Sequence, residues 1–341
     1  MKKDLLKISK KKIEDKINEI LDKEIEKYSD NEFIKESIIE LKRLSSGGKR
    51  VRGYLVKLGA MLFGKDDDSY IDLAAALEIF QTAILIHDDI IDEADKRRGL
   101  ETINAKYKGH IGVSKAICIG DLGFFISYRI INNANISKEL KDEIIKIYSK
   151  TLHNTVNGEI IDVELPLKDI DYHKNMNDSI IYDIYLNKTA WYTIIGPILI
   201  GAASASASTE DKEKLTVMGS YLGIAFQIKD DLLGLYSTSS SMGKTLNDVK
   251  EGKQTIIYKY AIDHANYDEL KIIDKYYGNP NISTGETKMI ADLFEKLGAK
   301  RNAEKLELEY TNKGIQIINS MDVQNKDLFM DFANYLLKRD K

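Results

Sequence analysis

The stretch YIDLAAALEIFQTAILIHDDIID, residues 70–92, is apolar except for a few embedded polar side chains and contains neither glycine nor proline. This composition favours a long helix that is buried on most of its surface. The whole sequence of 341 residues contains 3 prolines, far below the average usage of about 5%. Because proline breaks helix interiors and is frequent in the turns of sheet proteins, its scarcity predicts long, uninterrupted helices throughout.

Apolar residues at helical spacing predict further helices, joined by short loops that carry Gly, Asn, Asp or Ser. The predicted helices cover residues 31–44, 51–63, 70–92, 114–134, 137–163, 177–207, 210–235, 255–264, 284–296 and 299–318. Apolar and polar residues do not alternate for more than a few positions anywhere in the sequence, so the sequence does not predict a β-sheet. We therefore expect an all-α protein with a single large domain over residues 1–341.

The charge balance and the cysteine count exclude several classes of protein. Fifty Lys and Arg residues against 54 Asp and Glu residues give a formal net charge of −4, which lacks the basic excess of a dedicated nucleic-acid-binding protein. The single cysteine, Cys118, cannot form an internal disulfide or a cysteine cluster for zinc, which indicates a reducing, cytoplasmic compartment. We expect Cys118 to be a buried apolar thiol.

No segment of the sequence predicts a membrane span or a signal peptide. The first 30 residues repeat charges every two or three positions, which predicts an amphipathic surface helix. Residues 189–208, TAWYTIIGPILIGAASASAS, carry no formal charge and are long enough to span a membrane. Their Thr, Tyr, Gly, Pro and Ser residues make them too polar for lipid, so we interpret them as a helix buried inside protein.

Asp88 and Asp92 stand one helical turn apart near the end of the stretch 70–92, and therefore project from the same face. Two such carboxylates repel each other, and a shared divalent cation relieves the cost of placing them on an apolar helix. Ligands that are all oxygen suit Mg²⁺, which commonly shares phosphate oxygens with a substrate. The alternative is a solvated acidic helix end that pairs with the basic residues at positions 96–98.

A second acidic pair, Asp230 and Asp231, lies in the apolar segment FQIKDDLLG, residues 226–234, with Gln227 one turn before Asp231. One acidic pair on each of two helices could hold several Mg²⁺ ions around a diphosphate. A diphosphate also needs cationic partners. Candidates are GGKRVR (47–52), Arg97 and Arg98, Lys188, Gly243-Lys244 and Gly252-Lys253.

Six motifs occur in order along the chain. They are GGKRVR (47–52), LIHDDIIDEADKRRG (85–99), GEIID (158–162), NKTA (187–190), FQIKDDLLG (226–234) and GKTLNDVKEGKQT (243–255). From about Leu41 to Thr255 the chain therefore resembles the trans-type isoprenyl diphosphate synthases, also called polyprenyl synthetases. The resemblance implies a helical barrel of antiparallel helices around a deep apolar cavity, with both acidic motifs at its mouth, in a protein that is usually a homodimer.

The resemblance also implies an enzyme that condenses isopentenyl diphosphate head-to-tail with an allylic diphosphate, such as dimethylallyl, geranyl or farnesyl diphosphate. The reaction depends on Mg²⁺, with about three ions per active site by family resemblance. The matching metal ligands are Asp88, Asp92 and Asp230, and Asp89 and Asp231 support them.

Further residues match the family's substrate-binding positions. The positions that hold the diphosphate of isopentenyl diphosphate are matched by Lys49, Arg52 and Arg98. The positions on the allylic diphosphate are matched by Arg97, Lys188, Lys244 and Lys253. The positions that support the developing allylic cation are matched by Thr189 and Gln227.

Two residues depart from the family's pattern. Gly234 stands where the family often has a third Asp, and Asp248 could contribute acidity there through a water molecule. Gln81 stands where many members have a His that contacts isopentenyl diphosphate, a change that keeps hydrogen bonding but drops a charge. We expect neither change to abolish activity.

In this family the product length depends on the bulk of side chains beneath the first acidic motif. Ala83 and Ile84, five and four residues before Asp88, are not the aromatic residues associated with short products. Phe80 lies about one turn deeper and is a candidate for the floor of the cavity. We therefore expect a geranylgeranyl (C20) product or a somewhat longer one.

Several alternatives share part of this pattern. A farnesyl diphosphate synthase would use the same motifs for a shorter product. A class I terpene cyclase shares the first acidic motif, but its second is normally an Asn/Ser/Glu triad, which FQIKDDLLG is not. A noncatalytic subunit of a heteromeric synthase would not need both acidic motifs and every cation, and a purely structural bundle gives no reason to bury two aspartate pairs.

Overall fold

The computed structural model describes residues 2–236 and 247–337, and this part of the chain is almost entirely helical, which confirms the all-α fold. The first helices are α1 (Lys2–Lys27), α2 (Glu32–Leu44), α3 (Val51–Leu62), α4 (Ile71–Ile91), α5 (Ile103–Tyr107), α6 (Gly109–Asn133) and α7 (Lys138–Glu164). A 3₁₀ turn (Leu165–Leu167), α8 (Ile170–Asn175), α9 (Ser179–Ile184), a π-helix (Tyr185–Ile195) and α10 (Gly196–Ser204) follow. The remaining helices are α11 (Thr209–Tyr236), α12 (Asn247–Glu251), α13 (Ile256–His264), α14 (Tyr267–Tyr276), α15 (Thr284–Lys296), α16 (Ala299–Ser320) and α17 (Lys326–Leu337).

The described residues divide into two compact units. Unit 1 contains the described residues of 1–148, 197–208 and 323–328. Its centre is α4, which packs against α1, α3 and α6. The apolar stretch on which the fold prediction rests is the buried body of α4, where Ala74, Leu77 and Ile79 are almost inaccessible to solvent. Burial of this helix on most sides explains why its apolar residues show no narrow stripe.

Unit 2 contains the described residues of 149–196, 209–322 and 329–341. Its centre is α11, which packs against α16 on one side and against the π-helix on another. A core that includes Ile228, Ile262 and Phe294 joins α11, α13 and α15. The expectation of a single domain over residues 1–341 stays a prediction.

Three features of the described chain differ from the sequence prediction. The helix predicted over residues 177–207 is divided into α9, the π-helix and α10, and the helices α5, α8, α12, α14 and α17 were not predicted. A two-stranded antiparallel hairpin, β1 (Lys96–Arg97) and β2 (Leu100–Glu101), follows α4 where no strand was expected. Its two turn residues, Arg98 and Gly99, have positive φ values of 54° and 79°, which are typical of a tight hairpin turn.

The prediction that Cys118 is buried is wrong, because its side chain is exposed on α6. That helix also exposes Ile117 and Phe125, so an apolar neighbourhood in the sequence did not imply burial here.

Within the described residues, α6 is the one helix long and apolar enough to cross a membrane, a criterion that core helices of other proteins also meet. The segment 189–208 is largely buried, as the sequence indicated.

Candidate active site

The first acidic motif lies at the end of α4, where the hairpin folds Arg97 back onto it. The Arg97 Nη2 atom lies 2.6 Å from Asp88 Oδ2, and its Nε atom lies 2.5 Å from Asp89 Oδ1. Asp92 is the C-cap residue of α4, one turn after Asp88. Arg97 therefore forms ion pairs with both Asp88 and Asp89. This arrangement agrees with the alternative interpretation, in which the basic residues after α4 neutralise its acidic end.

The electrostatics of this motif are dominated by burial. Asp89 is almost completely buried, and burial raises the pKa of its carboxyl to about 6, an effect that Arg97 offsets only in part. Asp88 keeps more solvent access, with 17% of its side chain exposed. Asp88 can therefore offer a carboxylate oxygen to a metal ion, whereas the buried Asp89 is placed to support its neighbours.

The donor set fits Mg²⁺ that is shared with a substrate. Asp88 and Asp92 offer only carboxylate oxygens, the ligand type that Mg²⁺ prefers. Across residues 2–236 and 247–337, no three Asp, Glu, His or Cys side chains form a group that could hold a metal ion. An ion at this motif would therefore need water or substrate oxygens to complete its coordination.

A cluster of guanidinium groups forms a second feature of unit 1. A Cβ atom placed on Gly48 would lie 3.1 Å from Arg50 Nη1 and 3.2 Å from Arg98 Nη1, so the two groups meet beside this glycine. Partial burial and the positive charge of Arg52 and Arg50 lower the pKa of Arg98. Glu14 and Glu78 offset part of this charge, because they pair with Arg50 at 3.4 and 3.7 Å. The remaining positive charge around a turn that leads into α3 suits an anion.

The residues predicted to limit product length have different surroundings. Phe80 is buried and its ring centroid lies 5.6 Å from that of Phe124 and 5.4 Å from that of Tyr148. Ala83 is buried against α6, because a Cβ atom on Gly123 would lie 2.9 Å from the Ala83 Cβ. Ile84 and Gln81 are both only partly buried on α4. Phe80 thus belongs to an aromatic cluster, whereas Ala83 is a contact between helices.

In unit 2, two lysines converge on one carboxylate. The Lys188 Nζ atom lies 2.6 Å from Asp162 Oδ2, and the Lys253 Nζ atom lies 3.5 Å from the same oxygen. Glu159 also pairs with Lys188, at 3.0 Å, and Glu251 pairs with Lys253, at 3.4 Å. Burial alone would raise the pKa of Asp162, but the two ammonium groups lower it below its ordinary value.

This convergence depends on a close approach between α7 and the π-helix. A Cβ atom on Gly158 would lie 2.1 Å from the backbone nitrogen of Lys188, so a larger residue there would collide with the π-helix backbone. On another side, a Cβ atom on Gly223 of α11 would lie 2.2 Å from the Ala190 Cβ. Two glycines thus allow neighbouring helices to contact the segment that carries Lys188 and Thr189.

A chain of hydrogen bonds joins the π-helix to the second acidic motif. The Thr189 hydroxyl donates to Gln227 Oε1 at 2.5 Å, and Gln227 Nε2 donates to Asp231 Oδ1 at 2.8 Å. The Tyr185 hydroxyl donates to the other oxygen of Asp231. Complete burial raises the pKa of Asp231 well above its ordinary value, although the hydrogen bonds from Tyr185 and Gln227 oppose this shift.

Asp248 lies directly against the position where the family often has a third Asp. A Cβ atom on Gly234 would lie 2.2 Å from Asp248 Oδ2, so the carboxylate of Asp248 occupies the space beside this glycine. Asp230 precedes Asp231 on the same helix. Lys244 lies outside the described residues, so its predicted position stays a prediction.

The structure thus brings some predicted residues together within each unit. Arg97 meets Asp88 and Asp89, and Thr189 meets Gln227. The expectation that the two acidic motifs face each other across one cavity stays a prediction. Sequence reasoning did not assign roles to Glu159, Asp162 and Tyr185, although the first two lie within the quoted motif GEIID.

Comparison with known proteins places these residues in a family. A model of the family described as polyprenyl synthetase matches residues 36–294 of the chain. The chain belongs to the polyprenyl synthetase family. Membership confirms the resemblance inferred from the six motifs, and makes this chain a prenyltransferase.

Individual members of the polyprenyl synthetase family are similar over most of the chain. The geranylgeranyl diphosphate synthase of Sulfolobus acidocaldarius is 31% identical over 307 residues, covering 87% of this chain and 88% of its own. The short chain isoprenyl diphosphate synthase of Methanocaldococcus jannaschii is 30% identical over 285 residues, covering 83% of this chain and 81% of its own. A crystal structure of geranylgeranyl pyrophosphate synthase from Corynebacterium glutamicum, complexed with isoprenyl diphosphate and magnesium, has a TM-score of 0.87 at 25% identity and covers 96% of this chain and 97% of its own.

Proposed function

We propose that this protein is a Mg²⁺-dependent prenyltransferase that adds isopentenyl diphosphate to an allylic diphosphate and makes geranylgeranyl diphosphate or a somewhat longer product. The observation that carries this proposal is the convergence of Lys188 and Lys253 on Asp162, in the same unit as the hydrogen-bonded chain from Thr189 to Asp231. Two ammonium groups at one point suit a diphosphate, and the polar chain ends in the second acidic motif. The relatives named as geranylgeranyl diphosphate synthases support the C20 product.

The residues of the chain would share the work as follows. Asp88, Asp92 and Asp230 would hold about three Mg²⁺ ions, and bound Mg²⁺ supplies positive charge that stabilises the departing diphosphate. The substrate diphosphates would be bound by two sets of cations. The set for isopentenyl diphosphate is Lys49, Arg52 and Arg98, and the set for the allylic substrate is Arg97, Lys188, Lys244 and Lys253.

The reaction has three steps: one bond breaks, another forms and a proton is lost. The allylic carbon–oxygen bond breaks, and the Thr189 hydroxyl and the Gln227 amide support the positive charge that develops on carbon. The double bond of isopentenyl diphosphate then forms the new carbon–carbon bond, and a proton leaves to the released diphosphate. Apolar walls would exclude the water that otherwise quenches the cation.

Arg97 has a defined part in this scheme. It neutralises Asp88 and Asp89 at distances of 2.6 and 2.5 Å, so an ion that binds Asp88 must compete with it. A bound diphosphate would offer Arg97 a new anionic partner, and Asp88 would then be available to hold a metal ion. We therefore expect metal and allylic diphosphate to bind more tightly together than either does alone.

The decisive experiment is incubation of the purified protein with isopentenyl diphosphate, Mg²⁺ and each of dimethylallyl, geranyl and farnesyl diphosphate. We expect elongation by five-carbon units, and the Asp88→Ala variant should lose at least about 100-fold in kcat because it removes a metal ligand. A matched control is Asp142→Ala, which changes an exposed aspartate on α7. If none of the three primers is elongated, the proposal is contradicted.

Product length is tested separately at Phe80. Replacing it with alanine removes the ring that packs against Phe124 and Tyr148, so we expect Phe80→Ala to shift the products to longer chains. Chromatography of the products of both proteins with farnesyl diphosphate as primer is the measurement. An unchanged product distribution would remove Phe80 from the role, and a wild-type product of C15 would favour the farnesyl diphosphate synthase alternative.

We further propose that two copies of the chain associate through α6, in the cytoplasm. This helix exposes four large apolar side chains, Ile111, Ile117, Phe125 and Tyr128, of which Phe125 is 72% accessible. A row of exposed apolar residues on one helix suits a self-complementary interface. Sedimentation should show a dimer that Phe125→Glu dissociates, whereas the same change at Phe33 on α2, which is 82% exposed, should leave it intact.

A further inference from the structure

The hydroxyl of Tyr185 lies where three helices of unit 2 meet. It accepts a hydrogen bond from the backbone N–H of Ile256 at 2.9 Å and donates one to Asp231 Oδ2. Tyr185 begins the π-helix, Asp231 belongs to α11, and Ile256 is the first residue of α13. The side chain is only 2% exposed, so water does not compete for these hydrogen bonds.

The direction of each hydrogen bond follows from the chemistry of the groups. The Ile256 N–H can only donate, so the Tyr185 oxygen accepts from it and the hydroxyl proton is directed to Asp231. The second oxygen of Asp231 accepts from Gln227 Nε2, which orients the amide so that its oxygen faces Thr189. The orientation of Gln227 therefore depends on Asp231, and the position of Asp231 depends on Tyr185.

The three joined helices carry or adjoin residues of the proposed active site. The π-helix carries Lys188 and Thr189, α11 carries Gln227 and the second acidic motif, and α13 starts three residues after Lys253. One hydroxyl therefore fixes the relative placement of these elements at their point of contact. No motif of the family resemblance includes Tyr185, since NKTA begins two residues later, at Asn187.

We propose that Tyr185 is a positioning residue: its hydroxyl holds Asp231, and through it Gln227 and Thr189, in the arrangement that stabilises the allylic cation. This inference rests on the proposed prenyltransferase function. Tyr185 does not need to touch a substrate, because it acts through the hydrogen bonds to Asp231 and to the start of α13.

The test compares two substitutions that each remove one tyrosine hydroxyl. Tyr185→Phe should lower kcat about 10- to 100-fold, the range expected when a buried carboxyl group loses a hydrogen-bond partner. The KM for isopentenyl diphosphate should change less than about threefold, because the cations that bind it lie elsewhere in the sequence. Tyr236→Phe is the matched control, since among the described residues the buried Tyr236 hydroxyl has no hydrogen-bond partner; it should leave both constants unchanged.

A spectroscopic measurement separates positioning from a general loss of stability. Trp191, the single tryptophan of the sequence, is buried within the π-helix. Its fluorescence therefore reports on the segment that begins at Tyr185. Tyr185→Phe should make Trp191 more accessible to quenching by acrylamide under conditions where the protein stays folded, and Tyr236→Phe should not. Unchanged quenching together with unchanged kcat would overturn the inference.

A double-mutant cycle tests whether Tyr185 acts through Asp231. We expect Asp231→Asn and Tyr185→Phe each to lower kcat, and the double variant to be no worse than the poorer single variant. Losses that multiply would show that Tyr185 acts independently of Asp231, against the inference. A wild-type protein that elongates no primer would instead contradict the proposed function, so the two failures are distinguishable.

Discussion

Gly158 shows how a single residue controls the placement of Lys188. A Cβ atom at this position would lie 2.1 Å from the Lys188 nitrogen and 2.7 Å from its Cα, and both are backbone atoms that no side-chain rotation can move. We expect Gly158→Ala to displace the π-helix, which would separate Lys188 from Asp162 and lower kcat at least tenfold. The free energy of unfolding should fall by about 1–3 kcal/mol, as in other overpacked sites. Urea unfolding and steady-state kinetics measure the two effects.

Gly285 supplies the matched control for this substitution. It lies in α15, and a Cβ atom placed on it meets nothing within 4 Å. Alanine is favoured over glycine in helices and has fewer unfolded conformations, so Gly285→Ala should raise the free energy of unfolding by up to about 1 kcal/mol. Its kcat should be unchanged. Equal losses in the two alanine variants would contradict the close-approach argument at Gly158.

The family resemblance, which rests on the six ordered motifs, predicted part of the site. It nominated Thr189 and Gln227, and the structure joins them by a hydrogen bond. The partner of Lys188 was not predicted, because Asp162 lies 26 residues away and only tertiary packing brings it within 2.6 Å. The error at Cys118 has the same origin, since apolar neighbours in the sequence do not reveal which side of α6 stays uncovered.

Among the elements, the π-helix was the hardest to predict. The apolar residues of 177–207 fit a continuous helix, and local propensity contains no signal for the wider turns that begin at Tyr185. Its surroundings are tertiary: Gly158 on α7 and Gly223 on α11 both allow close contact with it. By contrast, α4 was predicted almost to its ends, because a long apolar segment without glycine or proline leaves few other structures open to it.

The α14 helix has a sequence signal in its N-terminal capping box. The Asn266 side chain accepts the N–H groups of Asp268 and Glu269 at 3.0 Å, and Glu269 accepts the Asn266 N–H in return. Asn266→Ala should therefore lower the free energy of unfolding by about 1 kcal/mol, whereas Asn266→Gly should cost only a few tenths. Neither should alter kcat, because α14 carries no residue of the proposed site. Calorimetry of both variants checks the order, and a larger loss with glycine would contradict the capping role.

For the whole molecule, the net charge of −4 gives no indication of how its charges are arranged. Arg50, Arg52 and Arg98 crowd together in unit 1, while Lys188 and Lys253 share Asp162 in unit 2. These local groups of cations suit phosphate ligands, although the total suggests none. The net charge therefore argues against a dedicated nucleic-acid-binding protein. It cannot reveal a local anion site, because nearby carboxylates balance the cations of that site in the total.

The pH dependence of unfolding offers a test of the buried interior. His173 is buried, its Nε2–H donates to the Leu165 carbonyl at 2.9 Å, and its Nδ1 accepts from the Tyr258 hydroxyl at 3.0 Å. Burial lowers the pKa of His173, and the hydrogen bond to Leu165 and the charge of Asp169 oppose this only in part. In the unfolded chain a histidine has a pKa of about 6.5. Between the two values the unfolded chain binds a proton that the folded protein does not.

The free energy of unfolding should therefore fall as the pH drops below about 6.5, by at most about 1.4 kcal/mol per pH unit from this one group. Replacement of His173 with glutamine removes the titrating group, so His173→Gln should flatten that part of the pH profile whatever its effect at neutral pH. The exposed His264 is the control, and His264→Gln should keep the wild-type slope. Urea unfolding of the three proteins between pH 5 and 8 is the measurement. A wild-type slope retained in His173→Gln would mean that another group binds the proton on unfolding.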